Sequence, residues 1–398
     1  MRTFSTVVIG GGAAGIVAAI SAGRSGSSVL ICEKTPRIGR KILASGNGRC
    51  NLSNDDLGPS FYNPSSRHLV ETVFANFGRK HINAFFTGLG LQLHSEEGRI
   101  FPATNQAASV LKVLEIELHR LAIPVECHFD VTSISRSKDG FLVTARSGAE
   151  VSARSVVVAG GGKSYPALGS DGSTYKLAER FGHSIVEPVP VAVPLNVKDP
   201  LCHALQGQKI PASVACAVNG ISGKSVAGDI LFTKYGLSGT AILDISADVS
   251  IALNRDRLRS VSLSIDMVPF MSIAELASEL KKRADRDFAP VDMVAGILPN
   301  KFGPALSYIF KTQDAPTRAH ALKNRIFTAQ GTRGWNEAEF TSGGIDTREV
   351  EAATLESRFV KGLYLAGEVL DVDGKRGGYN LAWAWASGHA AGEAASHA

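Results

Sequence analysis

The sequence predicts an α/β protein: a Rossmann-like domain formed from both chain ends, 1–190 and 338–398, interrupted by an inserted region at 191–337. Three observations carry this expectation. Residues 7–33 read strand, glycine turn, helix, strand, acid; residues 362–395 read strand, acid, glycines, helix; the stretch between them shows neither pattern.

In the first block Val7-Val8-Ile9 enters Gly10-x-Gly12-x-x-Gly15. An Ala-rich segment with Ala13 and Ala14 at its start follows, and Val29-Leu30-Ile31-Cys32 closes on Glu33. Each glycine has a task if a dinucleotide binds here: Gly10 permits a tight turn, Gly12 lets backbone N–H groups approach a pyrophosphate, and Gly15 allows close packing of helix on sheet. The helix N-terminus adds partial positive charge. Glu33 follows Gly10 by 23 residues, near the ~20-residue spacing at which a carboxylate meets a ribose hydroxyl pair. An acid at this position favours an unphosphorylated adenosine ribose, as in FAD or NAD. The alternative is a glycine turn without function, and the flanking strands together with the acid weigh against it.

Residues 34–54 carry Lys34, Arg37, Arg40, Lys41 and Arg49 among glycines that include Gly46, and the hydrogen-bonding Ser45, Asn47 and Asn51. Such a charge run is ordinarily a solvated loop. This one leaves the carboxyl end of the second strand, the edge where open α/β sheets bind ligands, so its cations and glycine N–H groups are expected to meet phosphate. Cys50, alone, reads as a bystander.

Apolar residues recur at three and four over 67–90 and 107–121, which predicts helices; 125–134 and 141–145 alternate as strands joined by a turn at 138–140. Val131 lies where a strand can flank an adenine ring, or is simply core. Val156-Val157-Val158 runs into Ala159, Gly160 and Gly161, a parallel-type strand whose glycines permit close approach to a cofactor. The following Lys163-Ser164 is no P-loop, because Val157 stands where that motif needs glycine.

The Pro-containing stretch 187–194 marks a boundary. Beyond it Asn219-Gly220 signals a hairpin, and Ser272 with Glu275 forms a capping box that starts a helix through Lys282. Phe232, Tyr235, Tyr308, Phe310 and Trp335 read as core rather than as substrate contacts. In the last block a strand delivers Gly367 and Glu368, and Gly378, Tyr379, Asn380 and Leu381 open a small-residue helix. Glu368 is placed to reach a second polyol, such as a ribityl chain.

Composition excludes several classes. With 398 residues, 44% hydrophobic and 20% charged, the chain is an ordinary globular protein rather than a disordered one. It has neither a long apolar run nor a signal-peptide pattern, so a cytoplasmic protein with no membrane span is expected. Five scattered cysteines make no C-x-x-C pair and ten histidines show no ligand spacing, so no metal is expected. A formal charge of +5 suits an anionic cofactor and is no argument for nucleic acid.

The stretches GGGAAGIVAA, GRKILASGNGRCNLSN, AGGGKSYPALGSDGSTYKLAERFGH and GLYLAGEVLDVDGKRGGYNLAWAWASG together resemble the bacterial FAD-dependent oxidoreductases that include aminoacetone oxidase and a bile-acid 3-oxo Δ4,6 reductase. The resemblance covers essentially the whole chain. It implies FAD in a two-part Rossmann-like domain and an insertion that is β-barrel-like, then helical. By the same resemblance Gly10 to Gly15 form the pyrophosphate loop, Glu33 the ribose ligand, and 40–51 the loop along the flavin. Gly367, Glu368 and 378–381 contact the ribityl and isoalloxazine. Lys234 and Thr240 depart from the family's pattern, which leaves substrate identity open.

The expected function is therefore redox chemistry at a flavin on a small organic substrate, either amine or alcohol oxidation or enone reduction, with NAD(P)H or O2 as redox partner. No catalytic residue is assigned. The rival readings are a flavin-dependent RNA-modification protein, suggested only by the excess of Lys and Arg, and an FAD-binding protein without turnover.

Overall fold

The computed structural model describes residues 2–138, 140–311 and 314–398, and the chain divides into two compact units, 1–188 with 340–398, and 189–339. Asp139 of the expected 138–140 turn lies outside the described residues.

The first unit is built on a seven-stranded sheet. Its central strand Arg2–Ile9 lies between Val29–Cys32 and Glu150–Val158, all parallel, with Val7, Val8, Val156, Val157 and Val158 fully buried. Continuous β-branched runs of this kind suit strands covered on both faces. One edge of Glu150–Val158 is shared in succession: its first half pairs antiparallel with Gly140–Ala145, and Val156–Val158 pair in parallel with Leu363–Leu365. Register aligns Ile9 with both Cys32 and Val158, and Val158 with Leu365. The carboxyl ends of four strands are thus level, and Gly10, Glu33, Ala159 and Ala366 follow them side by side.

Helix Ala13–Arg24 and the last helix, Tyr379–Ser396, pack at backbone distance. A Cβ added at Gly388 would overlap the carbonyl oxygen of Ala14, and one added at Gly392 would overlap that of Ala18. The i, i+4 spacing of these glycines lays a groove without side chains along one helix face. Trp383 and Trp385 fill the flanks, donating their indole N–H groups to Gly367 O and Leu52 O.

The helical stretch 67–90 forms two helices, Arg67–Phe77 and Arg79–Gly88, parted at Gly78 in extended conformation. One expectation is corrected: 125–134 is not one strand. Val125–Glu126 and Val131–Ser137 are separated by a turn across the acid, in which Phe129 N donates to Glu33 O at 2.9 Å and His128 N to Thr35 O at 3.2 Å.

The chain leaves this unit just after His183, whose side chain is fully enclosed between Glu349 Oε2 at 3.2 Å from Nδ1 and Ser357 Oγ at 2.8 Å from Nε2. Ser357 Oγ already accepts from the N–H groups of Phe359 and Val360. Its own proton therefore goes to Nε2, and the neutral ring donates from Nδ1 to Glu349.

The second unit is an antiparallel eight-stranded sheet with helices against it. The order runs Arg325–Thr328, Val261–Asp266, Lys209–Val218, Val226–Thr233, Gly236–Ser238, Leu195–Asn196, Gly331–Thr332, with Ile221–Ser222 hairpinned onto Lys209–Val218 at Asn219-Gly220. The first and last strands of that order are joined by only two residues. Ala329 N donates to Val261 O and Gln330 N to Asn196 O, curling the sheet into a barrel-like form. Helix Ile273–Ala284 starts at the expected capping box of Ser272 and Glu275. Phe232, Phe302 and Phe327 make the aromatic centre, and Phe310 is buried with them. Tyr235 and Trp335 are half-buried, whereas Tyr308, expected in the core, is 53% exposed. It lies in a 3-10 turn, Ser307–Phe310, that buries Ile309 and Phe310 and turns the tyrosine outward.

Two measurements test this packing. Gly392→Ala should lose about 1–3 kcal/mol of stability despite alanine's better helix propensity, because two backbones must separate; an unchanged denaturant midpoint would contradict the close contact. Burial lowers the His183 pKa below its ordinary value, against the opposing pull of Glu349. The unfolded chain then binds this proton more readily, so the stability His183 contributes is complete above ~6.5, its unfolded value, and is lost as pH falls through the lower folded value. Wild-type denaturant midpoints should fall with acidification over that window more steeply than those of His183→Asn.

Candidate functional site

Level strand ends bring Gly10, Glu33, Ala159 and Ala366 to one edge. Gly10 turns with φ +107°, and a Cβ there would lie 2.5 Å from Ala159 O. A Cβ at Gly15 would overlap the Gly10 carbonyl oxygen, so the close approach that glycine permits is to the turn itself as much as to the sheet. Around the Cβ position of Gly12 there is nothing within 4 Å, and the helix that begins at Ala13 has no side-chain cap. Its first N–H groups are orphaned, as in any helix, and the space beside Gly12 is open.

Glu33 fixes this turn. Its Oε2 accepts from Gly11 N and its Oε1 from Thr35 N, both at 2.7 Å, leaving one lone pair on each oxygen for ligand hydroxyls. Val131 lies two residues beyond Phe129, which is bonded to Glu33 O. Cys127, beside that carboxylate, has its thiol pKa pushed up by burial and further by the Glu33 charge.

The basic loop divides in two. Lys34 is taken by Asp171 Oδ1 at 2.6 Å and Ser173 Oγ at 3.2 Å. Burial works against the Asp171 charge, yet these bonds hold its carboxyl below its ordinary pKa. Lys41 is bonded to Glu368 Oε2 at 2.6 Å and Ser164 Oγ at 2.8 Å. Arg40 has no ion pair or side-chain hydrogen bond among the described residues. The loop docks on the glycine turn through Gly39 N and Gly11 O at 2.8 Å.

Ser45 Oγ donates to Ile42 O, Gly46 and Asn47 take left-handed backbone and are exposed, and Asn51 Oδ1 is buried with no hydrogen-bond partner. That oxygen would lie 2.6 Å from a Cβ on Gly378, which has φ +100°. Cys50 is enclosed, its thiol pushed up to about 12 by burial.

From the other chain end, Gly367 packs on Ala14, and Glu368 turns its carboxylate to Lys41, Ser164 and Thr341 N. Tyr379 stacks on Phe61 with centroids 4.6 Å apart, its carbonyl accepting from Tyr62 Oη. The Asn380 side chain is tied to both backbone groups of Gly374 and so is engaged within the protein.

Sequence reasoning missed a row of hydroxyls. Ser170 Oγ, Thr174 Oγ1 and Tyr175 Oη are all buried without hydrogen-bond partners, and the first two lie against the Cα of Gly161 and Gly160. Burial, aided by the nearby Glu368 and Asp371 carboxylates, raises the Tyr175 pKa above its ordinary value. The clustering of Ser170, Ser173, Thr174 and Tyr175 directly after a glycine-ended strand was the available signal.

These features fit FAD. Open space at an uncapped helix start suits a diphosphate, a two-lone-pair carboxylate suits a ribose, and orphaned hydroxyls and an orphaned amide oxygen await polar groups. An apolar ligand would leave all of them unsatisfied.

Residues 4–394 match the family described as "HI0933-like protein Rossmann domain". The chain is 38% identical to the 3-dehydro-bile acid delta(4,6)-reductase of Clostridium scindens, covering 98% of each chain. It is 31% identical to the ribosomal RNA dihydrouridine synthase of Escherichia coli, covering 97% of this chain and 96% of that one. Among solved structures, 3-ketosteroid-delta4-(5alpha)-dehydrogenase from Rhodococcus jostii superposes with a TM-score of 0.52 at 17% identity, covering 99% of this chain and 97% of that one, a likeness of fold.

Glu33→Ala should weaken FAD binding and also lower the stability of the apo-protein, each by about 1.5–3 kcal/mol, because two backbone N–H groups lose a charged acceptor. Titration of FAD into apo-protein and its denaturant midpoint measure the two effects. A loss of affinity with unchanged apo stability would show that Glu33 does not hold the turn.

Proposed function

This chain belongs to the HI0933-like family as a flavin-dependent oxidoreductase with FAD as its cofactor, and we propose that it reduces a carbon–carbon double bond conjugated to a carbonyl in a small organic substrate. The observation that carries this reading is the chemistry shared by the names of its relatives. A 3-dehydro Δ4,6 bile acid is an enone, and making dihydrouridine saturates a double bond conjugated to a uracil carbonyl. The small-molecule form follows the bile-acid reductase, which has the higher identity of the two.

FAD supplies the hydride chemistry when bound. The chain's own residues bind and orient it. Glu33 receives the adenosine ribose, the helix start at Ala13 the diphosphate, and Arg40 with Lys41 balances its charge. Ser170, Thr174 and Asn51 satisfy its remaining polar groups. Gly378 brings the start of helix Tyr379–Ser396 to this edge, and the positive end of that helix favours the negative charge gained on reduction. The chain has one dinucleotide fingerprint, which FAD fills, so NAD(P)H as electron donor binds weakly and without a Rossmann domain of its own. With no helix among the described residues long and apolar enough to cross a membrane, a cytoplasmic setting accords with this reading.

A second reading, reduction of uridine in ribosomal RNA, is favoured by the dihydrouridine synthases alone. Anaerobically reduced holoprotein separates the two. Mixing with a 3-oxo-Δ4,6 bile acid should reoxidise the flavin and yield a product that has gained two hydrogens, with one of its two double bonds reduced, by mass spectrometry, while unmodified ribosomal RNA should leave it reduced. Reoxidation by the RNA and not by enones would reverse the assignment.

A further inference from the structure

Glu368 is saturated by its own protein. Oε1 accepts from Thr341 N at 2.8 Å and Ser164 Oγ at 3.1 Å; Oε2 accepts from Lys41 Nζ at 2.6 Å and, more weakly, Gly162 N at 3.4 Å. Four donors occupy the lone-pair sites of one carboxylate, leaving none for a ribityl hydroxyl. Lys41 is in the opposite condition. Its ammonium has three protons, and among the described residues two are engaged, by Glu368 and Ser164.

Both residues adjoin the diphosphate turn. Lys41 lies two positions after Gly39, which is bonded to Gly11 O, and Glu368 directly follows Gly367, which packs on Ala14. Lys34, a neighbouring cation of the same basic loop, is spent on Asp171.

We propose that Glu368 is a positioning residue that does not touch the cofactor: it holds Lys41 so that the third ammonium N–H faces the anionic part of FAD. Removing Lys41 then does more than delete a contact. It leaves the Glu368 charge uncompensated beside a diphosphate, so the lysine variant is worse than the variant that lacks both charges.

This inference rests on FAD as the cofactor, and wild-type protein tests that premise by itself: no FAD binding by wild type would remove the premise, whereas a wrong order among variants removes only the present proposal. The experiment titrates FAD into apo-protein of wild type, Lys41→Met, Glu368→Gln and the double variant, at low and high salt, with apo denaturant midpoints recorded alongside. Lys41→Gln replaces Lys41→Met should the latter not fold. Lys41→Met should weaken FAD by about tenfold or more, the scale of a charged hydrogen bond, and Glu368→Gln by less. The double variant should bind FAD more tightly than Lys41→Met alone. Salt should weaken binding by wild type more than binding by Lys41→Met, which keeps Arg40, a difference that a merely structural cluster would not give. Lys41→Arg, which keeps the charge, should retain most of the affinity. Further loss on adding Glu368→Gln to Lys41→Met would overturn the proposal, since it would mean that Glu368 ligates the cofactor directly. Unchanged affinity in Lys41→Met would overturn it as well.

Discussion

The backbone contact between helix Ala13–Arg24 and helix Tyr379–Ser396 is the constraint on which the first unit depends. Gly388 and Gly392 lie against the carbonyls of Ala14 and Ala18, so the helix that begins at the diphosphate turn is seated by the last helix of the chain. The same closure puts Leu363–Leu365 beside Val156–Val158 and brings Gly367 onto Ala14. The edge is thus assembled from both segments: Gly10, Glu33 and Ala159 come from the first, and Ala366 and Gly367 from the second.

Two acids on that edge share a logic. Glu33 uses half of its acceptor capacity to fasten Gly11 and Thr35 and keeps the rest. Glu368 uses all of it to join the 162–164 loop, Thr341 and Lys41. Both follow a parallel strand at the same level, and both look like polyol ligands in the sequence. Counting lone pairs separates them, which sequence spacing cannot do. A carboxylate in a glycine-rich edge is as much a clamp for loose backbone as a ligand for sugar.

The Rossmann-like framework was legible because its signals are local: β-branched runs, glycines at fixed offsets, and an acid one strand later. The capping box at Ser272 and the hairpin at Asn219-Gly220 were legible for the same reason. The break at Gly78 was not, since apolar periodicity continues through it, and the outward turn of Tyr308 depends on which neighbours claim the core. Among the candidate site residues, those at glycine turns stand out in the sequence by their spacing. Ser164, Thr341, Ser170 and Thr174 do not, because hydroxyls are common in loops and their significance comes from what they face. Lys34 and Lys41 read alike as free cations, and only tertiary pairing shows that one is spent and the other is partly available.

The closing contact also has a temporal side. Helix Ala13–Arg24 is almost wholly apolar on the face that Gly388 and Gly392 later cover, yet its partner, Tyr379–Ser396, follows only after the insertion. At about 5–20 residues per second that face waits roughly 20–70 s for its cover, while an insertion with its own core, residues 189–339, is completed in between. The nascent chain therefore carries a folded middle and an unfinished, sticky beginning. Closure of the site and covering of that face are one event, so chaperone dependence and flavin supply act on one and the same unclosed intermediate.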